Sequence, residues 1–322
     1  MVNACAFEIK KLYILGNGFD LHHGIKCSYK NFKYWLSRNR RPVYENLKRL
    51  YRNINQGWWG AFEENLANFD PDRYPLSIAR ISHIKQINYL VKYYGQEGRD
   101  FIDTLEYDDE DIASNQYRRA GAIARFEMQK LRDDLNDAFG NWVLQLNKAK
   151  KSKKVALDEN ALFFTFNYTR TLEDLYGIED DQIVHLHGSV DNKVFVIGHN
   201  MTAEQMMNRD FEENVYNRDP DKDKGQDDAR LAMFEAAEEM KKPVDGVISD
   251  YGSAFNSLKG IEELEILGIS YSPVDIPYME EVFDIAGKGI KVKLGWHSER
   301  DEVNAEAFAQ TMGLSNWEKV WF

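Results

Sequence analysis

The chain has 322 residues, of which 43% are hydrophobic and 29% charged, and its formal net charge at pH 7 is -12. This length allows one large domain or two ordinary ones, and the composition is that of a globular protein rather than a disordered one. The negative charge argues against a broad face for nucleic acid or anionic lipid, although it leaves a local basic groove open.

The cysteine count and the hydropathy pattern bear on location. Cys5 and Cys27 are too few for a zinc ribbon or a disulfide framework and fit a reducing compartment. The N-terminal residues contain no apolar stretch of signal-peptide length, and nowhere do about 18 apolar residues run together, as a membrane span requires. We therefore expect a cytoplasmic protein with no membrane partner.

The first predicted elements are a strand over residues 12–15, the turn Gly16-Asn17-Gly18 and a helix that starts at Phe19-Asp20. Glycine permits close backbone approach, and a helix N-terminus offers amide groups to a phosphate. The full G-x-G-x-x-G pattern is missing, so a tight turn without a ligand is an equal interpretation of this loop alone. The later predicted strands also end in small or polar residues, and this recurrence favours the interpretation that the Gly16-Asn17-Gly18 turn binds the phosphates of a nucleotide.

From about residue 29 to residue 150 the apolar residues recur at helical spacing. This pattern predicts a helical insertion over residues 39–154 between the two parts of a nucleotide-binding domain, residues 1–38 and 155–322. Within the insertion, Trp58, Trp59 and Phe62 are interpreted as core packing. The basic run 148–154 is interpreted as a solvated loop and the charged run 219–225 as a mobile loop.

Five further apolar runs predict strands, over residues 161–166, 183–186, 194–197, 264–267 and 290–294. Nearly continuous apolar strands are typical of a parallel sheet that is covered on both faces. The strands alternate with helical or long connecting segments. We therefore predict an α/β fold with a Rossmann-like, doubly wound, mostly parallel sheet of about six strands and a large helical insertion. Ligands of such sheets bind beyond the carboxyl ends of the strands.

Polar residues follow the second and third predicted strands. Asn167, two residues after Thr165, could bind a ribose hydroxyl, orient a water or cap the next helix. The third strand runs into His185 and His187, and two-residue alternation predicts that both histidines lie on one side of it. One could be a core histidine. His187, next to Gly188, is the better candidate for a general base, because neutral imidazole accepts a proton near pH 7.

The fourth and fifth predicted strands end in the same way. Their small or polar residues are Gly198, His199, Gly268, Ser270 and, slightly later, Asp275. Recurrence of such residues on one edge of a sheet favours a ligand crevice. The acidic candidates for charge stabilisation or ribose binding are Asp20, Glu63, Glu64 and Asp275, and a solvated-surface or helix-capping role is at least as open for each of them.

Six blocks of this sequence resemble the bacteriophage abortive infection AbiH family. They are LYILGNGFDLHHGIKCSYKNF (12–32), WWGAFEENL (58–66), FFTFNYTRTLEDLY (163–176), HLHGS (185–189), VIGHN (196–200) and LGISYSPVDIPYM (267–279). That family is in turn similar to the sirtuin-like group of Rossmann proteins, in which a Gly-rich loop, a T-x-N motif and an H-G motif build an NAD site. The resemblance implies NAD, or a related nucleotide, as substrate or ligand.

The resemblance also implies roles for individual residues. Gly16 and Gly18 would contact the dinucleotide, Asn167 would hold the nicotinamide-side ribose or a water, and His187 would be the base. Thr169 stands where sirtuins commonly have an aspartate. The zinc-binding cysteines of protein deacetylases are absent, so no metal is expected and hydrolysis fits better than lysine deacylation.

The leading hypothesis is an anti-phage effector that hydrolyses NAD⁺ at the nicotinamide–ribose bond. The alternative is a nucleotide-sensing module of a phage-defence system that binds without turnover. The negative net charge argues against a nuclease, and the sequence contains no pattern of carboxylates that predicts a metal site. A phage-derived activator fits an effector of this kind, and the sequence leaves open whether the chain forms a homo-oligomer.

Overall fold

The structure is a computed structural model that describes residues 9–51, 54, 57–71, 83–105, 112–146, 152–214 and 224–322. The chain forms two compact units. The first contains the chain up to Trp35, Asp137–Ile197 and Lys242–Phe322, and the second contains Leu36–Asn136 and Gly198–Lys241. The second unit thus includes a stretch after residue 197 that the sequence-based limits assign to the nucleotide-binding domain.

The first unit is built on a six-stranded parallel sheet. Its strands are β1 (Lys11–Leu15), β2 (Leu162–Thr165), β3 (Ile183–His185), β4 (Glu263–Leu267), β5 (Lys291–Trp296) and β6 (Trp317–Trp321). They lie in the order β3-β2-β1-β4-β5-β6, and all pairs are parallel. The predicted α/β fold is confirmed, since this strand order is the Rossmann order. The order reverses between β1 and β4, where ligands of this fold class bind.

One strand prediction is wrong and one strand was missed, and each has a physical reason. Residues 194–197 form irregular backbone, in which Val194 is 52% exposed and the Val196 N–H donates to the His187 carbonyl at 2.9 Å. This short apolar run has no strand neighbour. The sixth strand is instead β6, at the sheet edge, where Glu318 and Lys319 are exposed. An exposed edge strand does not produce the continuous apolar run by which the other strands were predicted.

The core of the first unit lies on both faces of the sheet. Alternate residues of β1 point to opposite faces, so Leu12 and Ile14 belong to one buried cluster while Tyr13 and Leu15 belong to another. The first cluster also contains Phe166 and Tyr278. Both groups of side chains are almost fully buried, as expected for a parallel sheet with helices on its two faces.

Helices make up most of the remaining described chain. In chain order they are α1 (Asn17–His22), α2 (Tyr29–Asn39), α3 (Arg41–Leu50), α4 (Phe62–Asn65), α5 (His83–Asp103), α6 (Ile112–Leu146), α7 (Ala203–Asn214), α8 (Lys224–Glu238), α9 (Val244–Asp250), α10 (Gly252–Asn256), α11 (Ile276–Ala286) and α12 (Glu299–Met312). None of the helices in the described part of the chain is long and apolar enough to cross a membrane.

The helices described between residues 29 and 146 confirm the helical pattern predicted for this part of the sequence. α5 changes direction at Gly95, which has φ 59° and ψ -134°. Trp58 and Trp59 are 6% and 1% exposed and pack edge to face at 5.1 Å, and Trp59 stacks on Phe62 at 5.3 Å. These three rings are core, as the sequence indicated. Most of the runs 148–154 and 219–225, as well as Cys5, lies outside the described residues.

Candidate functional site

Three glycines join the carboxyl ends of β1 and β4. The Gly16 N–H donates to the Leu267 carbonyl at 2.9 Å, and the Gly18 N–H donates to the Gly268 carbonyl at 2.8 Å. A Cβ atom on Gly268, which has φ +71°, would lie 2.2 Å from the Phe19 nitrogen, and one on Gly18 would lie 2.7 Å from the Gly268 Cα. Only glycine allows this approach at the point where the strand order reverses. We name the contact of Gly16, Gly18 and Gly268 the glycine joint.

This close contact changes the role predicted for the Gly16-Asn17-Gly18 turn. The Phe19 N–H donates to the Gly16 carbonyl at 2.9 Å, so the amides of Gly16, Gly18 and Phe19 all have acceptors inside the fold. These three amides are therefore not the unpaired N–H groups by which a helix start binds a phosphate. Phe19 is itself buried, 4.4 Å from the ring of His23. The glycines let the two backbones pack together, and their N–H groups are used inside the fold.

Asp20 is a buried acceptor that connects α1 to the loop after β2. It is 1% exposed, and its two carboxylate oxygens accept from the hydroxyls of Thr169 at 2.6 Å and Thr171 at 2.7 Å. Thr169 is the residue that departs from the sirtuin pattern. Its hydroxyl supplies a donor that an aspartate carboxylate could not, and hydrogen bonds to a charged group are the stronger ones. The carboxylate predicted to bind the cofactor is thus engaged within the fold.

Asn167 fastens the end of β2 to the turn after β1. Its Nδ2 donates to the Gly16 carbonyl at 3.0 Å, and its backbone N–H donates to the Thr165 Oγ1 at 3.0 Å. The Thr165 hydroxyl in turn donates to the Leu15 carbonyl at 3.4 Å. Both side chains are buried. The Nδ2 of Asn167 is used in the hydrogen bond to Gly16. Its Oδ1 is the atom that could accept a hydrogen bond from a ligand or a water.

His185, the last residue of β3, and His187 do not share one side, contrary to the alternation prediction. β3 ends at His185, and a turn follows in which the Gly188 N–H donates to the His185 carbonyl at 3.0 Å. The ring of His185 bonds the Asn167 carbonyl at 2.8 Å and Glu173 at 3.1 Å. Burial by itself would lower the pKa of His185, but these hydrogen bonds raise it above its usual value. His185 is therefore the structural histidine of the pair.

His187 lies in an aromatic pocket on the other side. Its ring centroid is 4.7 Å from that of Phe166 and 5.4 Å from that of Tyr278. The residue is 3% exposed, and its Nε2 has no hydrogen-bond partner among the described residues. Gly188 allows the tight turn beyond it, since a Cβ there would lie 2.1 Å from the Val194 carbonyl oxygen. A buried polar atom without a partner is costly and needs an explanation.

Two charged residues stand beside His187. The Nε2 of His187 is 3.9 Å from Oδ1 of Asp275, and the same oxygen is 3.2 Å from Nζ of Lys242. The Lys242 side chain is completely buried, and that of Asp275 is 16% exposed. Burial and then the positive charge of Lys242 hold the pKa of His187 well below its usual value. The imidazole is therefore neutral at pH 7 and can accept a proton.

Lys242 is the member of this cluster that the sequence did not reveal. It follows another lysine and precedes Pro243, a pattern typical of a solvated connection. Asp275 was predicted, and it precedes α11 with Pro277 in the first turn. The two residues meet only because α9 and α11 pack together, a long-range feature. We name the group formed by Lys242, Asp275 and His187 the histidine cluster.

The remaining predicted residues lie elsewhere. Gly198 and His199 belong to the second unit, where His199 Nε2 bonds the Ala237 carbonyl at 3.0 Å and its Nδ1 accepts from the Met201 N–H at 3.2 Å. Both ring nitrogens of His199 thus have backbone partners. Ser270 is exposed after β4, and its carbonyl accepts from Asn304.

The residues that form the site also lie within the part of the chain that matches a known protein family. A family model described as Bacteriophage abortive infection AbiH matches residues 12–295. The chain belongs to the AbiH family. The matched range begins in β1 and contains the glycine joint and all three members of the histidine cluster. Membership implies a role in phage abortive infection. No curated protein matches the chain.

Proposed function

We propose that this AbiH protein is an abortive-infection effector that hydrolyses NAD⁺ at the nicotinamide–ribose bond, with His187 as the general base. The observation that carries the proposal is the neutral, buried imidazole of His187, whose Nε2 lacks a partner in the described chain at the carboxyl edge of a Rossmann-ordered sheet. Dinucleotides are common ligands of that edge.

The chemistry suits the histidine cluster. Nicotinamide in NAD⁺ is already a cationic leaving group, so the bond from the ribose C1′ to the ring nitrogen breaks with its electron pair going to nicotinamide, and no acid is required. The oxygen of a water forms the new bond to C1′. The water loses its proton to Nε2 of His187, and the products are ADP-ribose and nicotinamide. A weak base is sufficient, because the oxocarbenium-like ribose is strongly electrophilic.

Asp275 and Lys242 support this step electrostatically. When His187 accepts the proton it becomes a buried cation, which is costly without a counter-charge. Asp275 supplies that charge at 3.9 Å, a distance that can shorten in a complex with substrate. Lys242 holds Asp275 from the other side at 3.2 Å. Asn167, through its oxygen, would orient the water or a ribose hydroxyl.

The test is incubation of the purified protein with NAD⁺ while nicotinamide and ADP-ribose are separated and measured. NAD⁺ is measured in parallel in phage-infected cells that express the protein, since the activity of an effector can require infection. We expect His187→Ala and Asn167→Ala to abolish nicotinamide release. Asp174→Asn, which changes an exposed carboxylate of the same unit, is the matched control and should leave release unchanged.

Two outcomes would reject the proposal. The first is nicotinamide release that survives both substitutions at the wild-type rate. The second is wild-type protein that consumes no NAD⁺ either in solution or in infected cells. Tight binding of NAD⁺ without turnover in both settings would instead support a nucleotide-sensing module.

A further inference from the structure

A cavity of about 200 Å³ opens beside the glycine joint, separate from the histidine cluster. It is lined by Gly18, Leu21, His22, His297 and Phe322. His22 and Leu21 come from α1, His297 follows β5, and Phe322 follows β6. His297 and Phe322 come after the residues that match the family model. We name this cavity the ring pocket.

The lining of the ring pocket is apolar and aromatic, with two polar ring edges. The Phe322 ring centroid is 5.5 Å from that of His22 and 6.4 Å from that of His297. The Nδ1 of His297 bonds Asp301 at 2.7 Å, which fixes the orientation of this imidazole and leaves its other nitrogen for a ligand. None of the five lining residues is a lysine, an arginine or a carboxylate. Such a lining fits a flat, uncharged nitrogen heterocycle and does not fit a phosphate.

The position of the ring pocket fits the second base of a dinucleotide. His187 contacts Phe166, just after β2, while His297 follows β5, and three strand spacings separate β2 from β5 in the sheet order. At about 4.8 Å per strand this separation is about 14 Å. The two bases of a dinucleotide are joined through two riboses and two phosphates, and the distance between them is of this order. Between the two places lies the glycine joint, where the backbones after β1 and β4 pack directly against each other.

We propose that the ring pocket binds the adenine base of the dinucleotide, with the base against Phe322 and its ring nitrogens within reach of His22 and His297. This inference rests on the proposed function for the identity of the whole ligand. Stacking of a base on an aromatic side chain contributes about 1–3 kcal/mol. Because each 1.4 kcal/mol is a factor of ten, loss of the ring should weaken binding by about 5- to 150-fold.

The test separates binding of adenine from turnover. Binding of AMP, ADP-ribose and CMP is measured by ligand-observed NMR titration, and turnover is measured with NAD⁺ and with nicotinamide mononucleotide, which has no adenine. We expect Phe322→Ala and His297→Ala to weaken AMP and ADP-ribose binding by at least fivefold and to raise the KM for NAD⁺. Neither substitution should change kcat for NAD⁺ or the turnover of nicotinamide mononucleotide. CMP should bind more weakly than AMP.

A matched control is Trp321→Ala, which removes an aromatic side chain from the adjacent position but does not line the pocket. It should bind AMP as wild type does. Phe322→Tyr, which keeps the ring, should also bind AMP normally, and this variant guards against a folding effect of Phe322→Ala.

The outcomes distinguish the two proposals. NAD⁺ hydrolysis with AMP binding that is undetectable, or that is unchanged in Phe322→Ala and His297→Ala, overturns the ring pocket and leaves the proposed function standing. AMP binding that depends on Phe322 without any hydrolysis of NAD⁺ supports the pocket and overturns the proposed function.

Discussion

Two buried clusters of charged side chains, one from each unit, differ in what surrounds their central groups. In the second unit, Arg49 donates to Glu127 at 2.7 Å and to Tyr94 at 2.7 Å, and its guanidinium lies 4.5 Å from the centroid of Tyr93. The hydroxyl of Tyr89 donates to the same Glu127 oxygen at 3.3 Å. We name this group the arginine cluster. It ties together α3, α5 and α6.

The histidine cluster of the first unit is more sparsely bonded around its titratable centre. His187 reaches Asp275 only at 3.9 Å, outside hydrogen-bond range, although Lys242 and Asp275 are paired at 3.2 Å. Each cluster includes a titratable side chain with a buried atom that has no hydrogen-bond partner among the described residues, Nε2 of His187 in the first unit and Oε2 of Glu127 in the second. The first belongs to a neutral imidazole packed against Phe166 and Tyr278, while the second belongs to a carboxylic group held by an arginine between helices. We infer a chemical role for the first cluster and a structural role for the second.

The largest effect expected from this contrast is on activity. His187→Gln keeps a polar side chain but cannot act as a base, and loss of a general base lowers rates by about 10²- to 10⁴-fold. We expect NAD⁺ hydrolysis to fall by that factor, measured as nicotinamide release, while the urea midpoint of unfolding stays close to wild type. A variant that unfolds readily and hydrolyses NAD⁺ normally would give His187 the structural role instead.

The second effect is on stability, in the arginine cluster. Arg49→Met leaves the buried Glu127 without its counter-charge, and breaking a buried pair in this way costs about 3–5 kcal/mol. The free energy of unfolding from urea denaturation measures this cost. Replacing both partners, as Arg49→Met with Glu127→Leu, should recover much of it, because apolar residues in place of a whole buried pair are often neutral.

The matched control lies on the same helix. Lys48→Met breaks an exposed pair with Glu45 at 3.0 Å, and such surface pairs contribute about 0–1 kcal/mol. An Arg49→Met variant that loses no more stability than Lys48→Met would show that the arginine cluster does not stabilise the helices.

The third effect is a pH dependence of stability that belongs to Glu127. Burial raises the pKa of Glu127 from 4.5 to about 7, against the opposing charge of Arg49. Between these two values the folded chain holds a proton that the unfolded chain has lost, so stability falls as pH rises from 4.5 to 7 and stays lower above it. One such proton gives a slope of up to about 1.4 kcal/mol per pH unit. Urea denaturation across this range should show a shallower slope for Glu127→Gln; an unchanged slope would assign it to other groups.

Much of the first unit could be predicted from its sequence because its central strands are buried on both faces. The runs that contain β1 and β2 are almost continuously apolar, and a strand buried on both faces requires that composition. β6 was missed for the opposite reason, since its edge position leaves Glu318 and Lys319 exposed. Residues 194–197 have the apolar composition of a strand, but they form none because no neighbouring strand pairs with them.

The candidate site was predictable in its residue types but not in its pairings. The glycines, Asn167, His187 and Asp275 stand at predicted strand ends, where the fold class brings ligands. Asp20 accepts hydrogen bonds from Thr169 and Thr171, which lie 149 and 151 positions further along the chain. Lys242 and Asp275 are separated by 33 positions. Local patterns do not encode such contacts.

The smallest expected effect is a shift in the pH dependence of activity, which tests the role of Lys242 in the histidine cluster. Burial is the first cause of the low pKa of His187 and the charge of Lys242 the second, so Lys242→Met should raise this pKa without restoring its usual value. The acid limb of kcat/KM for NAD⁺ hydrolysis reports the base of the free enzyme, and we expect it to move to higher pH in Lys242→Met. Lys242→Arg keeps the positive charge and should leave the limb in place. A lysine that only supports the fold would change the amount of active protein in both variants and would not move the limb, because loss of folded enzyme lowers the rate equally at every pH.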